Sequence, residues 1–266
     1  MLSVVATYLA VGAVAGILAG LLGIGGGLVI VPMLVFCFSH QQFPHPIIMH
    51  LALGTSMASI VFTSVSSFWA HHKRGAVQWP VVRRISPGIL AGTFLGSFVA
   101  ARLSTNMLKG FFVLFLYYVA LQMLTGKKPK ASRTLPGTLG MTAAGGGIGV
   151  ISSLVGIGGG TISVPFMVWC NLGLHQAIGT SAAIGFPIAI SGALGYVVNG
   201  LAAPELPPYS LGYVSLPALA GIVLASIITA PMGVRLAHSL PVQQLKRLFA
   251  LLLVAVATKM LISLLP

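Results

Sequence analysis

Acidic residues are what this sequence most lacks. Among 266 residues, Glu205 is the sole aspartate or glutamate. One carboxylate cannot supply the paired acids of glycosidase chemistry or an oxygen-rich cage for calcium or magnesium. Charge of either sign is scarce: 6% of residues are charged, against about a quarter in a soluble domain. Hydrophobic residues make up 57% and the mean hydropathy is +1.03. Such a chain cannot cover a water-facing surface, which excludes a soluble enzyme and a disordered tail. Cysteine is nearly absent as well. Cys37 and Cys170 lie inside apolar stretches and read as buried thiols, not as a disulfide framework. The seven histidines have no cysteine or carboxylate company of the kind a metal site needs. No metal and no cofactor are expected.

What is present is a series of apolar runs. Ten can be marked, at about 2–22, 28–39, 47–70, 85–101, 108–125, 138–155, 161–173, 177–198, 212–233 and 244–264. Helix is the expected state, because an open strand edge cannot be hydrogen-bonded in lipid. The first run has no basic stretch before it and is read as a retained helix, not a signal peptide. The fold class is therefore an all-α polytopic membrane protein. The net charge of +13 would suggest nucleic acid, but the basic residues sit in short loops between apolar runs, where membrane topology places them. The expected partners are a small solute and the bilayer, without nucleic acid; a homo-oligomer is left open.

An internal repeat sets the architecture. Residues 16–36 read GILAGLLGIGGGLVIVPMLVF and residues 149–169 read GVISSLVGIGGGTISVPFMVW; ten of the 21 positions are identical. HLALGTS at 50–56 matches HQAIGTS at 175–181, and a weaker pair joins 101–112 to 234–250. The expected division is a first membrane repeat at 1–126, a basic cytoplasmic linker at 127–137 and a second membrane repeat at 138–266. Loop charges orient the copies. The loops holding His71, His72, Lys73, Arg74, Arg83 and Arg84, and then Lys127, Lys128, Lys130 and Arg133, are basic and are placed in the cytoplasm. The loop at 200–211 has Glu205 and no Lys or Arg, whereas 235–247 has Arg235, Lys246 and Arg247. Matching loops then lie on opposite sides, as in two inverted-topology repeats of about five segments each. Both termini would face outward. The runs 28–39 and 161–173 are short, the first about 18 Å as helix. Helix breaks or re-entrant hairpins are expected at the glycine-rich motifs. Trp69, Trp79 and Tyr8 are read as interface anchors.

Three constellations can carry chemistry. Gly23-Ile24-Gly25-Gly26-Gly27 and Gly156-Ile157-Gly158-Gly159-Gly160 each put four glycines in five residues, which breaks a helix and exposes peptide N–H groups. Such exposure is tolerated in a membrane only where it is buried in protein or lines a cavity. An apolar helix follows each run, so N–H groups of Gly25, Gly26, Gly27 and Leu28, and of Gly158, Gly159, Gly160 and Thr161, would converge at positive helix ends. That is an anion site made without a charged side chain; the competing reading is close helix packing. Thr55-Ser56 and Thr180-Ser181, each after a glycine, read either as caps at helix starts or as hydroxyl donors to the same anion. His50 and His175, repeat equivalents, can add charge or move a proton, or else sit at the interface. Arg102 and Arg235 read as snorkelling side chains.

These motifs together resemble the sulfite exporter TauE/SafE family of membrane transporters. The resemblance is carried by GLLGIGGGLVIVPML, HLALGTS, HHKRGAVQW, VGIGGGTISVPF, HQAIGTS and GYVSLPALAG, and covers about residues 10 to 260. It implies transport of a small anion such as sulfite or a sulfonate across the bacterial inner membrane by a multi-pass protein. It places the family pattern on Gly25, Gly26, Gly27, Thr55, Ser56, Gly158, Gly159, Gly160, Thr180 and Ser181. An anion channel of the same fold is the first alternative. An intramembrane hydrolase using Ser56 or Ser181 is the second, and it lacks both an orienting acid and a G-x-S-x-G context. The expectation is a transporter and not an enzyme.

Overall fold

The computed structural model describes residues 2–22, 26–126, 132–239 and 242–264. Ten helices form among these residues: α1 (Leu2–Leu22), α2 (Gly27–His40), α3 (Ile48–Lys73), α4 (Trp79–Arg102), α5 (Thr105–Thr125), α6 (Thr138–Val155), α7 (Gly160–Trp169), α8 (Leu174–Gly200), α9 (Leu216–Ser239) and α10 (Val242–Ile262). A single 3-10 turn precedes α3, and a two-residue hairpin, β1 (Ser210–Leu211) with β2 (Val214–Ser215), precedes α9. The helices follow the ten apolar runs. The chain is an all-α membrane protein in which α3 to α6 and α8 are long and apolar enough to cross a bilayer. Helix α7, at 10 residues, is about 15 Å long and too short to cross hydrocarbon of about 30 Å.

Small residues decide how the helices pack. In lipid there is little hydrophobic drive between helices, so close backbone approach and fitted van der Waals contact take its place. Gly92 of α4 lies against Gly146 of α6, and Gly96 against Val150; the two helices run parallel with backbones touching. Helices α1 and α9 pair likewise, with Gly12 against Ile222, Gly16 against Ser226 and Gly221 against Tyr8. The centre is an antiparallel pair, α3 on α8: Gly54 faces Tyr196, Met57 faces Gly192 and Ser64 faces Gly185. Helices α5 and α10 are also antiparallel, linked by Lys109 Nζ donating to Ser263 Oγ at 3.2 Å and by Tyr117 Oη to Thr258 Oγ1 at 2.9 Å.

Two local expectations are corrected. Tyr8 is not an interface anchor; it is buried against Phe38 and donates to Gln41 Oε1 at 2.9 Å. Trp69 and Trp79 are exposed, and Trp79 Nε1 donates to His72 Nδ1 at 3.1 Å. The Gly-Thr-Ser triplets are not helix starts. Thr55 and Thr180 lie inside α3 and α8, which begin at Ile48 and Leu174. Their hydroxyls therefore cannot cap those helices, and their work is elsewhere.

Candidate functional site

Both glycine runs interrupt helix. Helix α1 ends at Leu22 and α2 begins at Gly27; α6 ends at Val155 and α7 begins at Gly160. Gly23, Ile24 and Gly25 lie outside the described residues. At the second break the glycines have specific work. Gly156 and Gly159 take φ of +71° and +76°, a left-handed backbone that disfavours any residue with a Cβ. Gly156 and Ile157 fold back to give their N–H groups to the Ser152 carbonyl at 2.8 and 3.2 Å. The Gly159 carbonyl then accepts from Ile162 and Ser163 at 3.0 and 2.8 Å, opening α7.

The two breaks meet. Gly27, the first residue of α2, packs on Gly156 and Ile157; a Cβ there would lie 3.0 Å from Ile157 Cα. Gly158 sits against Ile60, and Gly159 against Ile188. Ile60 and Ile188 are near the midpoints of α3 and α8, so the second break lies halfway along the central helix pair.

The Gly-Thr-Ser triplets fasten this arrangement. Gly54 lets the Tyr213 backbone approach α3, and Gly179 lets the Ala76 backbone approach α8. Thr55 Oγ1 accepts from Ser215 N at 3.0 Å, and Thr180 Oγ1 accepts from Gln78 N at 3.0 Å. Each threonine thus holds the loop that leads into the next helix of the other half. Ser56 Oγ donates to the Gly156 carbonyl at 2.8 Å, tying α3 to the second break. Ser181 Oγ shares a 2.7 Å hydrogen bond with Ser163 Oγ of α7.

The histidines are brought into different surroundings. His50 is 4% exposed, and its Nε2 lies 3.1 Å from the Ala100 carbonyl. That nitrogen must carry the proton, leaving Nδ1 as a buried acceptor without a partner among the described residues. The ring lies against Tyr213, 5.0 Å between centroids. His175 is exposed at the start of α8.

Sequence reasoning missed three hydroxyls. Ser152 Oγ, Thr161 Oγ1 and Thr93 Oγ1 are buried without a hydrogen-bond partner among the described residues. Ser152 Oγ is 3.4 Å from where a Cβ on Gly159 would lie. Thr93 Oγ1 is 2.7 Å from the same point on Gly149, three residues before Ser152. A signal existed for Ser152 and Thr161. In the aligned repeats Ser152, Ser153, Thr161 and Ser163 stand where the first copy has Ala19, Gly20, Leu28 and Ile30. A crevice of about 350 Å³ lies by the first copy's helices, between α1, α2 and α10. Leu28, Pro32, Phe36 and Val256 line it, with Lys259 Nζ 4.5 Å over the Phe36 ring. Its lining suits hydrocarbon and offers an anion one exposed cation.

Comparison with known proteins points to membrane transporters. A probable membrane transporter protein of Haemophilus influenzae is 41% identical over 99% of this chain and 100% of its own length. A second, from Bacillus subtilis, is 30% identical over 70% of this chain and 76% of its own. A third, from Methanocaldococcus jannaschii, is 28% identical over 89% and 87%. No solved structure matches. The family model described as Sulfite exporter TauE/SafE matches residues 8–260, and the chain belongs to that family of membrane transporters.

Proposed function

We propose that this protein carries a small oxyanion across the bacterial inner membrane by alternating access between two inverted repeats, residues 1–126 and 138–266, joined by the linker at 127–137. The observation that carries this reading is the meeting of the two helix breaks, Gly27 on Gly156, with Gly158 and Gly159 of the second break packed at the midpoints of α3 and α8. Broken helices at the junction of two halves put backbone N–H groups at membrane depth, where an anion can be held without a charged side chain. The antiparallel crossings of α3 on α8 and α5 on α10, each helix with its own repeat equivalent, are what inverted repeats produce. The exchange-related pairs α1 with α9 and α6 with α4 support the same symmetry. Rocking of one half on the other would open the junction to each side in turn.

Sulfite and organic sulfonates are the first substrates to try, on the strength of the family. The Gly-Thr-Ser hydroxyls are engaged in holding the fold, so backbone N–H groups around Gly158–Thr161 are the donors favoured here. Carrier function has a direct test: counterflow of labelled sulfite into proteoliposomes preloaded with unlabelled sulfite. Saturable counterflow is the expected result. Flux without counterflow would indicate a channel, and no flux of any small oxyanion would overturn the reading.

A further inference from the structure

The two breaks are built from one repeated sequence, yet only the second is polar. Ser152 is fully buried and Thr161 is 8% exposed. Both hydroxyls lack a partner among the described residues. A buried hydroxyl without a partner is costly. Here both belong to one helix start: Thr161 is the second residue of α7, and Ser152 Oγ lies 3.4 Å from where a Cβ on its N-cap, Gly159, would be. The N–H groups of Gly160 and Thr161 precede the first intrahelical bonds of α7, which begin at Ile162 and Ser163. Two unpartnered hydroxyls and two peptide donors thus belong to the N-cap and first turn of one helix. Formal charge is sparse in the elements that frame it: α3, which packs on the break through Leu53 and Ile60, has a single Lys or Arg, Lys73 in its last turn. Helices α6, α7 and α8 hold no Lys, Arg, Asp or Glu, and their one histidine is exposed His175. Around these glycines Leu53, Val31, Ile60, Ile188 and Ile148 supply apolar contact, while Ser56 bonds the Gly156 carbonyl and Ser152 Oγ lies by Gly159.

A site with donors and no cation discriminates by charge. The Born cost of moving an ion into a low-dielectric interior grows with the square of its charge, so a dianion costs about four times what a monoanion does. Neutral donors and half a helix dipole offset a single charge far better than two. We infer that Ser152, Thr161 and the first turn of α7 form the substrate cradle of this protein, and that it accepts singly charged oxyanions and rejects dianions. This rests on the transporter reading above and sharpens it. An oxyanion with two acidic protons would enter carrying one of them, so a proton would cross with the substrate although no carboxylate lies in any helix.

The test uses two tetrahedral anions of similar size and different charge: methanesulfonate, a monoanion, and sulfate, a dianion at neutral pH. Thermal unfolding of the purified full chain in detergent is followed with each, on the native sequence, on S152A/T161V and on Thr161→Ser. Methanesulfonate is expected to raise the melting temperature in a saturable way and sulfate to leave it unchanged. The double variant should bind methanesulfonate at least tenfold more weakly. Thr161→Ser keeps the hydroxyl and should bind as the native protein does, which controls for a double variant that fails to fold. Stabilisation by sulfate equal to that by methanesulfonate would overturn the charge selection. Unchanged binding in the double variant would overturn the cradle. No stabilisation by either anion, with sulfite counterflow intact, would overturn this inference alone; loss of counterflow in the native protein would instead remove the transporter reading beneath it.

Discussion

The first and second glycine breaks share five consecutive residues and a later Val-Pro, but their surroundings have diverged. After the first run come Leu28 and Ile30, both buried in the apolar core, with Leu28 also lining a hydrocarbon-like crevice. After the second come Thr161 and Ser163 at the same repeat positions, with Ser152 behind them. Both runs separate two helices, yet the N-cap glycines that open α2 and α7 differ: Gly26 has φ of −67° and Gly159 of +76°. What the side chains do around that interruption is free to differ. The lesson is that a duplicated motif preserves the position of a helix boundary, while the polarity of the residues around it can differ between the copies.

The largest effect that would test this division is at Gly156, where the two breaks touch. An alanine there would adopt φ of +71°, and its Cβ would meet Leu53 Cδ2 and Val31 Cγ2 at 2.9 Å. Strain of about 1 kcal/mol adds to overpacking of about 1–3 kcal/mol, so Gly156→Ala should destabilise by about 2–4 kcal/mol. Gly126 has a similar φ of +59° and open space around it; Gly126→Ala should cost only the strain, about 1 kcal/mol. Unfolding in denaturing detergent measures both. Equal losses would mean that Leu53 and Val31 make room for the added methyl without cost.

A swap between the copies comes next. Leu28→Thr gives the first break the residue of the second. It removes a fully buried side chain from the core and leaves a hydroxyl in apolar surroundings, at about 2–3 kcal/mol. Counterflow per folded molecule should be retained. A gain in anion affinity from this change would show the first break to be a binding surface as well, and would erase the asymmetry.

Much of the architecture was legible in the sequence, because lipid removes most alternatives. All ten apolar runs became helices, and α6 begins and ends at Thr138 and Val155 as read. The breaks fall at the two G-I-G-G-G runs, but glycine density alone does not make a break: Gly145-Gly146-Gly147-Ile148-Gly149 has the same content and continues α6. The triplets were not legible. Gly54-Thr55-Ser56 carries residue types that suit a cap, and only tertiary structure reveals that Thr55 reaches Ser215, 160 residues away. Ser152 was hidden for a different reason. A serine in an apolar helix usually bonds back to its own backbone, as Ser153 does to the Val150 carbonyl. Nothing local distinguishes its neighbour, which does not. Only the contrast with Ala19 in the first copy could have raised it.

The smallest effects concern the two latches, and they rank the halves against each other. Thr55 and Ser215 are both buried, so Thr55→Val leaves a peptide N–H without partner or water, at about 1–2 kcal/mol. Thr180 is buried, but Gln78 is only half-buried. Water can reach the N–H that Thr180→Val releases, and the cost should fall below about 1 kcal/mol. Hydrogen exchange at the amides of Ser215 and Gln78 follows each latch directly. The Gln78 amide should exchange faster than that of Ser215 in the native protein, and each variant should accelerate its own amide while leaving the other unchanged. Acceleration of both amides by either variant would mean that the latches act as one unit across α3 and α8, and the halves could not then be treated as separately fastened bodies that rock on one another.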